Sequence, residues 1–372
     1  MTPEPTGIFL VCPPGLEPVL ADEASEAGFD GVAVVPGGVT IRGGWAEVWR
    51  ANLTLRGAVR VLAGIGAFRA FHLAQLDKRA RKFPWADTLR PDIPVAVEVA
   101  TNRKSKIYHA GAAQQRIETA IAEELGAPIG PGGVTVRARI DDNLVELSVD
   151  TSGKSLHKRG HKVAVGKAPM RETMAAMFLR ACGYRGAEPV LDPMCGSGSF
   201  VIEAAEIAAG LRPGRGRLFA FERLARFDVD TWTAMREQGV RPQPDLAFYG
   251  SDRDAGAFAA ARANAERAGI GELVSFRKAA VSEIEPPPGA PGLVIANPPY
   301  GGRIGDRKAL YPLYAALGRS LRTRFGGWRV GIVTTEAGLA GAMELPFAPP
   351  GPPVPHGGLK VRLWQTGPLP AS

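Results

Sequence analysis

Apolar and polar positions along the chain fall into two rhythms. Up to about residue 150, short β-rich runs at Val32–Val35, Val95–Ala100, Val134–Arg139 and Leu144–Val149 alternate with helix-like runs at Pro18–Ala27 and Gly111–Leu125. That alternation predicts an α+β sandwich. From residue 171 onward, apolar strand candidates alternate with helices. Pro189-Val190-Leu191-Asp192 leads through a glycine turn into the helical run Val201–Ala209, which Gly210 stops. Leu246–Asp252 reads as the next strand, with Asp254 capping a helix over Ala255–Ala268 that Gly269 ends. Further strands are predicted within Val274–Val281 and at Leu293–Ala296, Trp328–Thr335 and Gly358–Gln365. The last two are divided by the Pro-rich stretch 346–355, read as a loop. Strands and helices in this order predict a doubly wound α/β sheet. Three segments are expected: 1–150, a basic connector at 151–170, and 171–372, with an insertion rich in Arg and aromatics near 211–245.

Composition narrows the class. The chain has 372 residues, enough for two domains with proper cores, and its 45% hydrophobic content and mean hydropathy of −0.03 describe a soluble, globular protein. No apolar run reaches membrane-spanning length, and the opening Met1-Thr2-Pro3-Glu4-Pro5 has neither the basic region nor the apolar core of a secretory signal. Three widely spaced cysteines, Cys12, Cys182 and Cys195, suit a reducing cytoplasm and no zinc site.

Net charge +8 and a pI near 9.6 favour a polyanionic partner. The positive charge is grouped: Lys78-Arg79-Ala80-Arg81-Lys82, Arg103-Lys104-Ser105-Lys106, and the span Lys154, Lys158, Arg159, Lys162, Lys167, Arg171. One such cluster is as readily a solvated face; three together predict a phosphate-tracking surface. His157 and His161, four apart but with no third ligand nearby, are read as facing the phosphate-bearing partner or as plain surface residues, not as metal ligands.

The chemistry is concentrated in three places. Asn297-Pro298-Pro299-Tyr300 follows Leu293–Ala296 directly. It presents an amide oxygen, a carbonyl and a flat ring on rigid backbone, which is what an exocyclic NH2 needs to become a nucleophile and a base needs to be held. Upstream, Asp192 stands before Cys195-Gly196-Ser197-Gly198. Gly-x-Gly without a third glycine fits neither a dinucleotide fingerprint nor a P-loop, and a strand-end acid suits the ammonium group of S-adenosylmethionine. Asp252, at the tip of the second strand, is placed where such sheets grip ribose hydroxyls. Cys195 is read as a small residue lining the cofactor loop, since the Asn297 site offers no thiol beside a target base.

These elements in this order resemble the class I methyltransferases that use S-adenosylmethionine. Leu-His-Lys-Arg-Gly at 156–160, Ala-Pro-Met-Arg-Glu-Thr at 168–173, Phe-Ala-Phe-Glu at 219–222, Tyr-Gly-Ser-Asp at 249–252 and Asn-Pro-Pro-Tyr-Gly narrow it to the THUMP-domain guanine-N2 RNA methyltransferases, nearest the bacterial type acting on large-subunit ribosomal RNA. Pro-Gly-Leu-Glu at 14–17 and Ser-Lys-Ile-Tyr-His at 105–109 extend the resemblance faintly into the N-terminal part. It implies a Rossmann-like class I methyltransferase domain preceded by an α+β THUMP-containing RNA-binding region. It also implies cofactor contacts from Asp192, Cys195, Gly196, Ser197, Gly198, Asp252 and Asn297, and catalysis by Asn297, Pro298 and Tyr300. Lys78, Arg79, Arg81, Lys82, Arg103, Lys104, Lys106, Lys158 and Arg159 are the expected RNA contacts. The expected protein is a cytoplasmic monomer acting on RNA, ribosomal in preference to transfer RNA, with no metal and no membrane. Some relatives carry a second methyltransferase; this chain, ending at Ser372, looks like the guanine-N2 half. Relatives place an Asp near the end of the third strand to receive the adenine amino group. Here Ala280 stands there, so backbone, Ser282, Glu283 or packing must hold the adenine. The tetrapeptide alone also suits adenine-N6 or protein glutamine methylation, and a non-catalytic RNA-binding factor is the rival of a different class.

Overall fold

The computed structural model describes residues 4–163, 170–237, 244–301 and 310–371. Lys167 and the first two residues of Ala-Pro-Met-Arg-Glu-Thr lie outside them. The chain divides into two compact units: residues 4–12, 21–156 and 214–237 form one, and 13–20, 157–163, 170–213, 244–301 and 310–371 the other.

The first unit is built on strands β1 Ile8–Val11, β2 Asp30–Val35, β3 Gly38–Arg42, β4 Arg60–Arg69, β5 Val95–Thr101, β6 Val134–Asp141 and β7 Leu144–Asp150, in the order β2-β3-β1-β4-β7-β6-β5. The first four strands have the order of a ferredoxin-like βαββαβ unit. Of these, the sequence pattern marked only β2. The fourth, β4, pairs with β1 through residues 60–63 and with β7 through residues 62–69, so it joins the two halves of the sheet; a bulge at Gly64–Gly66 bends it. Hairpin β6–β7 closes over Asp142 and Asn143, both at positive φ, the geometry a tight two-residue turn demands. Ile8, Leu10, Val39, Ile41, Val48 and Val61 fill the core.

The insertion does not pack where its sequence position suggests. Although it separates two strands of the second sheet, residues 214–237 belong to the first unit. Phe221 stacks on Phe219 at 5.1 Å, meets Trp232 edge-on at 4.9 Å and lies 6.0 Å from Trp49. Its N–H bonds the Thr151 carbonyl at 3.0 Å, as Gly214 bonds Leu53 at 3.0 Å. Burial of those aromatic rings is a sufficient reason for the placement.

The second unit carries β8 Val190–Asp192, β9 Phe248–Asp252, β10 Val274–Lys278, β11 Leu293–Ala296, β12 Arg329–Thr334, β13 Val354–His356 and β14 Leu359–Gln365, in the order β10-β9-β8-β11-β12-β14-β13. The first five neighbours in that order are parallel, and β14 runs antiparallel to β12. This is the doubly wound sheet of the Rossmann-like class. Strand order reverses between β8 and β11, so the loops after those two strands open into one crevice, where such sheets bind ligands. The end of the Pro-rich stretch is not loop: Val354–His356 pairs along β14, with Pro355 tolerated because β13 is an edge. Among the described residues, no helix is long and apolar enough to cross a membrane.

Candidate active site

The turn after β8 is held from several sides. Gly198 sits at φ +84° and opens the helix Ser199–Ala208; a Cβ there would come within 3.1 Å of Ile202 and 3.2 Å of Ala261. Gly196, at φ +51°, would project a Cβ into open space, the side from which a cofactor can approach the backbone. Cys195 N–H bonds the Ser251 carbonyl at 2.9 Å, and Gly196 N–H bonds Asp252 Oδ2 at 3.0 Å, so the turn is fastened to the end of β9. Asn264, fully buried, donates to the Ser197 carbonyl at 3.1 Å.

Asp192 is 2% exposed and accepts one backbone bond, from Met194 at 2.9 Å. Burial, helped by the charge of Asp252, pushes its carboxyl up to about 8. A buried acid this costly to ionise fits a ligand that brings its own cation, such as the ammonium of S-adenosylmethionine. Asp252 accepts Gly196 N–H on one oxygen and Asp254 N–H, at 2.9 Å, on the other. Each oxygen keeps a lone pair that a ribose hydroxyl can use. Asp254 caps its helix by accepting from Gly256 N at 3.0 Å. Cys195 is buried, and burial raises its thiol well above the usual range, which disfavours a thiolate nucleophile. Near the third strand, Glu283 Oε2 accepts from Ala280 N at 3.2 Å, which puts a carboxylate beside the position where the sequence resemblance implies an Asp.

Asn297 follows β11, whose four residues are all buried. Its Oδ1 is buried and accepts no hydrogen bond among the described residues. An unsatisfied buried acceptor costs stability, so this atom is suited to receive an N–H from a ligand. Pro298 is buried and Tyr300 half-buried against the core. The Pro299 carbonyl accepts from the hydroxyl of Tyr314 at 3.3 Å, and that hydroxyl lies 3.1 Å from Thr334 Oγ1.

The basic clusters divide. Lys78, Arg79, Lys82, Arg103, Lys104, Lys106 and Lys158 are exposed. Beside Arg103–Lys106 stand Tyr108, 63% exposed, and Phe71, 41% exposed, with Lys106 Nζ 5.6 Å from the Phe71 ring centre. Arg81 is already spoken for by Asp77 at 3.0 Å, Glu123 at 2.5 Å and Glu124 at 3.2 Å. Arg159 is a clear correction. Its side chain is 1% exposed and bonds Glu203 at 2.7 Å, with Glu206 at 3.7 Å, so it cannot meet a phosphate. Two residues just after it are also withdrawn from solvent, unlike Lys158: His161 is buried near Glu206, and Lys162 Nζ bonds Ser199 Oγ and the Met170 carbonyl, each at 2.6 Å. Tyr314, Thr334 and Asn264 were missed by sequence reasoning; each is one polar residue within a helix or strand, with no local signal. Among the described residues, no group of three or more His, Cys, Asp or Glu could hold a metal.

Residues 159–346 match the RMKL-like methyltransferase domain, and residues 7–62 the ferredoxin-like domain of RlmL. A Synechocystis sp. protein assigned to the RNA methyltransferases is 31% identical over 363 residues, 94% of each chain. A ribosomal RNA large subunit methyltransferase K/L of Chromohalobacter salexigens is 33% identical over 358 residues, which are 90% of this chain and 49% of that protein. The chain thus spans about half the length of the Chromohalobacter relative. A methyltransferase solved with S-adenosylhomocysteine superposes with a TM-score of 0.87 at 27% identity, covering 100% of both chains.

Proposed function

The chain belongs to the RMKL-like methyltransferase family, and we propose that it methylates the exocyclic N2 of a guanine in RNA, with large-subunit ribosomal RNA as substrate. S-adenosylmethionine is the methyl donor, supplying an electrophilic methyl group on a sulfonium. Asp192 would meet its ammonium, Asp252 its ribose, and the Gly196–Gly198 turn its backbone face.

The observation that carries the reading is the buried Oδ1 of Asn297, at the mouth of β11, which has no partner among the described residues. Asn297 Oδ1 and the Pro298 carbonyl accept the two N2 hydrogens of a flipped guanine, turning the amine lone pair out of conjugation, while Tyr300 holds the base face. The methylated amine is a strong acid and gives its proton to water, so no side-chain base is required. Catalysis is then positioning and acceptor placement.

Guanine in RNA is favoured over adenine or a protein glutamine by the first unit. Its exposed Lys78, Arg79, Lys82, Arg103, Lys104 and Lys106 suit phosphates. That unit, resembling THUMP-containing regions, is proposed to carry RNA to a monomeric, cytoplasmic enzyme. RNA from a strain lacking the gene, incubated with enzyme and S-adenosylmethionine, should yield N2-methylguanosine by nucleoside mass spectrometry. Methyladenosine would overturn the base, and methylation of transfer RNA alone would overturn the substrate. Absence of S-adenosylmethionine binding would favour a non-catalytic factor.

A further inference from the structure

Tyr314 lies on the helix Leu310–Arg324, is 0% exposed, and packs among Leu310, Leu317 and Leu321. Such surroundings would accept Phe equally well, and a buried phenol costs desolvation unless its hydroxyl is bonded. Its hydroxyl reaches Pro299 O at 3.3 Å and Thr334 Oγ1 at 3.1 Å. A phenol has one proton, so the arrangement that satisfies every atom has Thr334 donating to Tyr314 and Tyr314 donating to Pro299. Thr334 ends β12, the parallel neighbour of β11, so the far end of this bridge is anchored in the sheet while its near end holds the loop that follows β11.

What the bridge restrains follows from the prolines. Ring closure fixes φ at Pro298 and Pro299, and the second proline restricts ψ of the first. The torsion left soft between Asn297 and Tyr300 is ψ of Pro299, and it turns the very carbonyl that Tyr314 holds. That same peptide plane carries the N–H of Tyr300 and sets where its ring begins.

We propose that Tyr314, backed by Thr334, is a positioning residue for methyl transfer: by pinning the Pro299 carbonyl it fixes the Pro299–Tyr300 peptide plane and with it the Tyr300 ring that holds the target base. The inference rests on the reading of the Asn297–Tyr300 loop as the amine site. Burial also raises the phenol, so its proton is kept at neutral pH.

Tyr314→Phe and Thr334→Val preserve shape while removing one hydroxyl each. Single-turnover methyl transfer to RNA from a deletion strain should fall about tenfold or more in each, as misplacement of a reacting group by a fraction of an ångström does. S-adenosylmethionine affinity by calorimetry should stay unchanged. The double variant should be no slower than the worse single, and Thr334→Ser should restore the rate. Amide exchange at Tyr300, followed by mass spectrometry on the cofactor-loaded enzyme, should quicken in Tyr314→Phe. That readout needs no RNA, so it separates this inference from the substrate assignment. If wild type methylates no RNA, the substrate reading fails; if Tyr300 exchange is unchanged, or Tyr314→Phe transfers at the wild-type rate, the positioning role is overturned.

Discussion

Gly196 donates its backbone N–H to Asp252 Oδ2 at 3.0 Å, and the other oxygen of Asp252 receives the N–H of Asp254 at 2.9 Å. One carboxylate therefore locks the turn after β8 to the turn after β9, the two turns that must be in register for a nucleoside to lie across them. Binding and loop order are coupled through that single side chain.

Asp252→Ala should accordingly weaken S-adenosylmethionine by more than the roughly 1.5–3 kcal/mol of a lost charge-assisted hydrogen bond, because the turn loosens as well. Asp252→Asn keeps an acceptor for Gly196 and should lose less. Asp254→Ala should leave affinity largely intact and cost about 1 kcal/mol of stability as a lost helix cap. Calorimetry and thermal unfolding on the three variants separate the effects; equal affinity in wild type and Asp252→Ala would remove the ribose assignment.

Asp192 gives a pH dependence of predictable sign. Its carboxyl ionises near 8 in the fold and near the ordinary carboxylate value when unfolded. Between those values the folded state holds one more proton, so this group's contribution to stability is full in acid and is lost as pH rises through about 8. Cofactor affinity should behave differently. Below about 8 the acid must release a proton to meet the ammonium, and above it the α-amino group, of pKa about 7.7–8.0, must regain one. Affinity should peak near pH 8, with proton release on the acid side seen as a buffer-dependent calorimetric enthalpy. Asp192→Asn should abolish that release; an affinity flat across the range in wild type would refute the ammonium contact.

The legible parts of the site were those whose constraint is local. Asp192 and Asn297 each end an apolar strand and begin a turn of unusual composition, so their place at the carboxyl edge of a sheet follows from a dozen residues. Arg159 was misread because its partners lie 44 and 47 residues on, at Glu203 and Glu206. A signal existed: two acids three apart inside the otherwise apolar helix Ser199–Ala208 need a buried cation. Asp77, four residues before Arg81, similarly announced one of that arginine's partners, whereas Glu123 and Glu124 could not be found without the fold. The insertion's aromatics declared burial but not against which surface.

The proposed phosphate-binding role should therefore be tested on exposed Lys and Arg rather than on the paired Arg81 or the buried Arg159. Lys78→Glu with Arg79→Glu, and separately Lys104→Glu with Lys106→Glu, should weaken RNA binding. Its dependence on log salt should flatten by about 0.7–0.9 for each phosphate that the variant no longer neutralises. Cofactor affinity should not change. Arg159→Met should instead lower thermal stability, since it strands two buried carboxylates. A salt slope equal to wild type in filter binding would return the affected cluster to the role of a solvated face.

Asn297→Ala is the decisive substitution for the chemistry. It removes the buried Oδ1 that lacks a partner among the described residues, so it relieves an unsatisfied acceptor and should not harm the fold. S-adenosylmethionine binding should largely survive, because Asp192, Asp252 and the glycine turn are untouched and only the contact expected from Asn297 itself is lost. Turnover should fall about 100- to 1000-fold, the usual cost of deleting one preorganised group at a transition state. Asn297→Asp keeps an oxygen but adds a charge beside the cofactor, so its affinity and rate should both change. Tyr300→Ala should lose about 1–3 kcal/mol of base stacking, while Tyr300→Phe retains the ring and should be mild. Were the tetrapeptide only a rigid turn, Asn297→Ala would transfer methyl groups as fast as wild type. Single-turnover transfer to RNA from a deletion strain, scored as N2-methylguanosine, distinguishes the two.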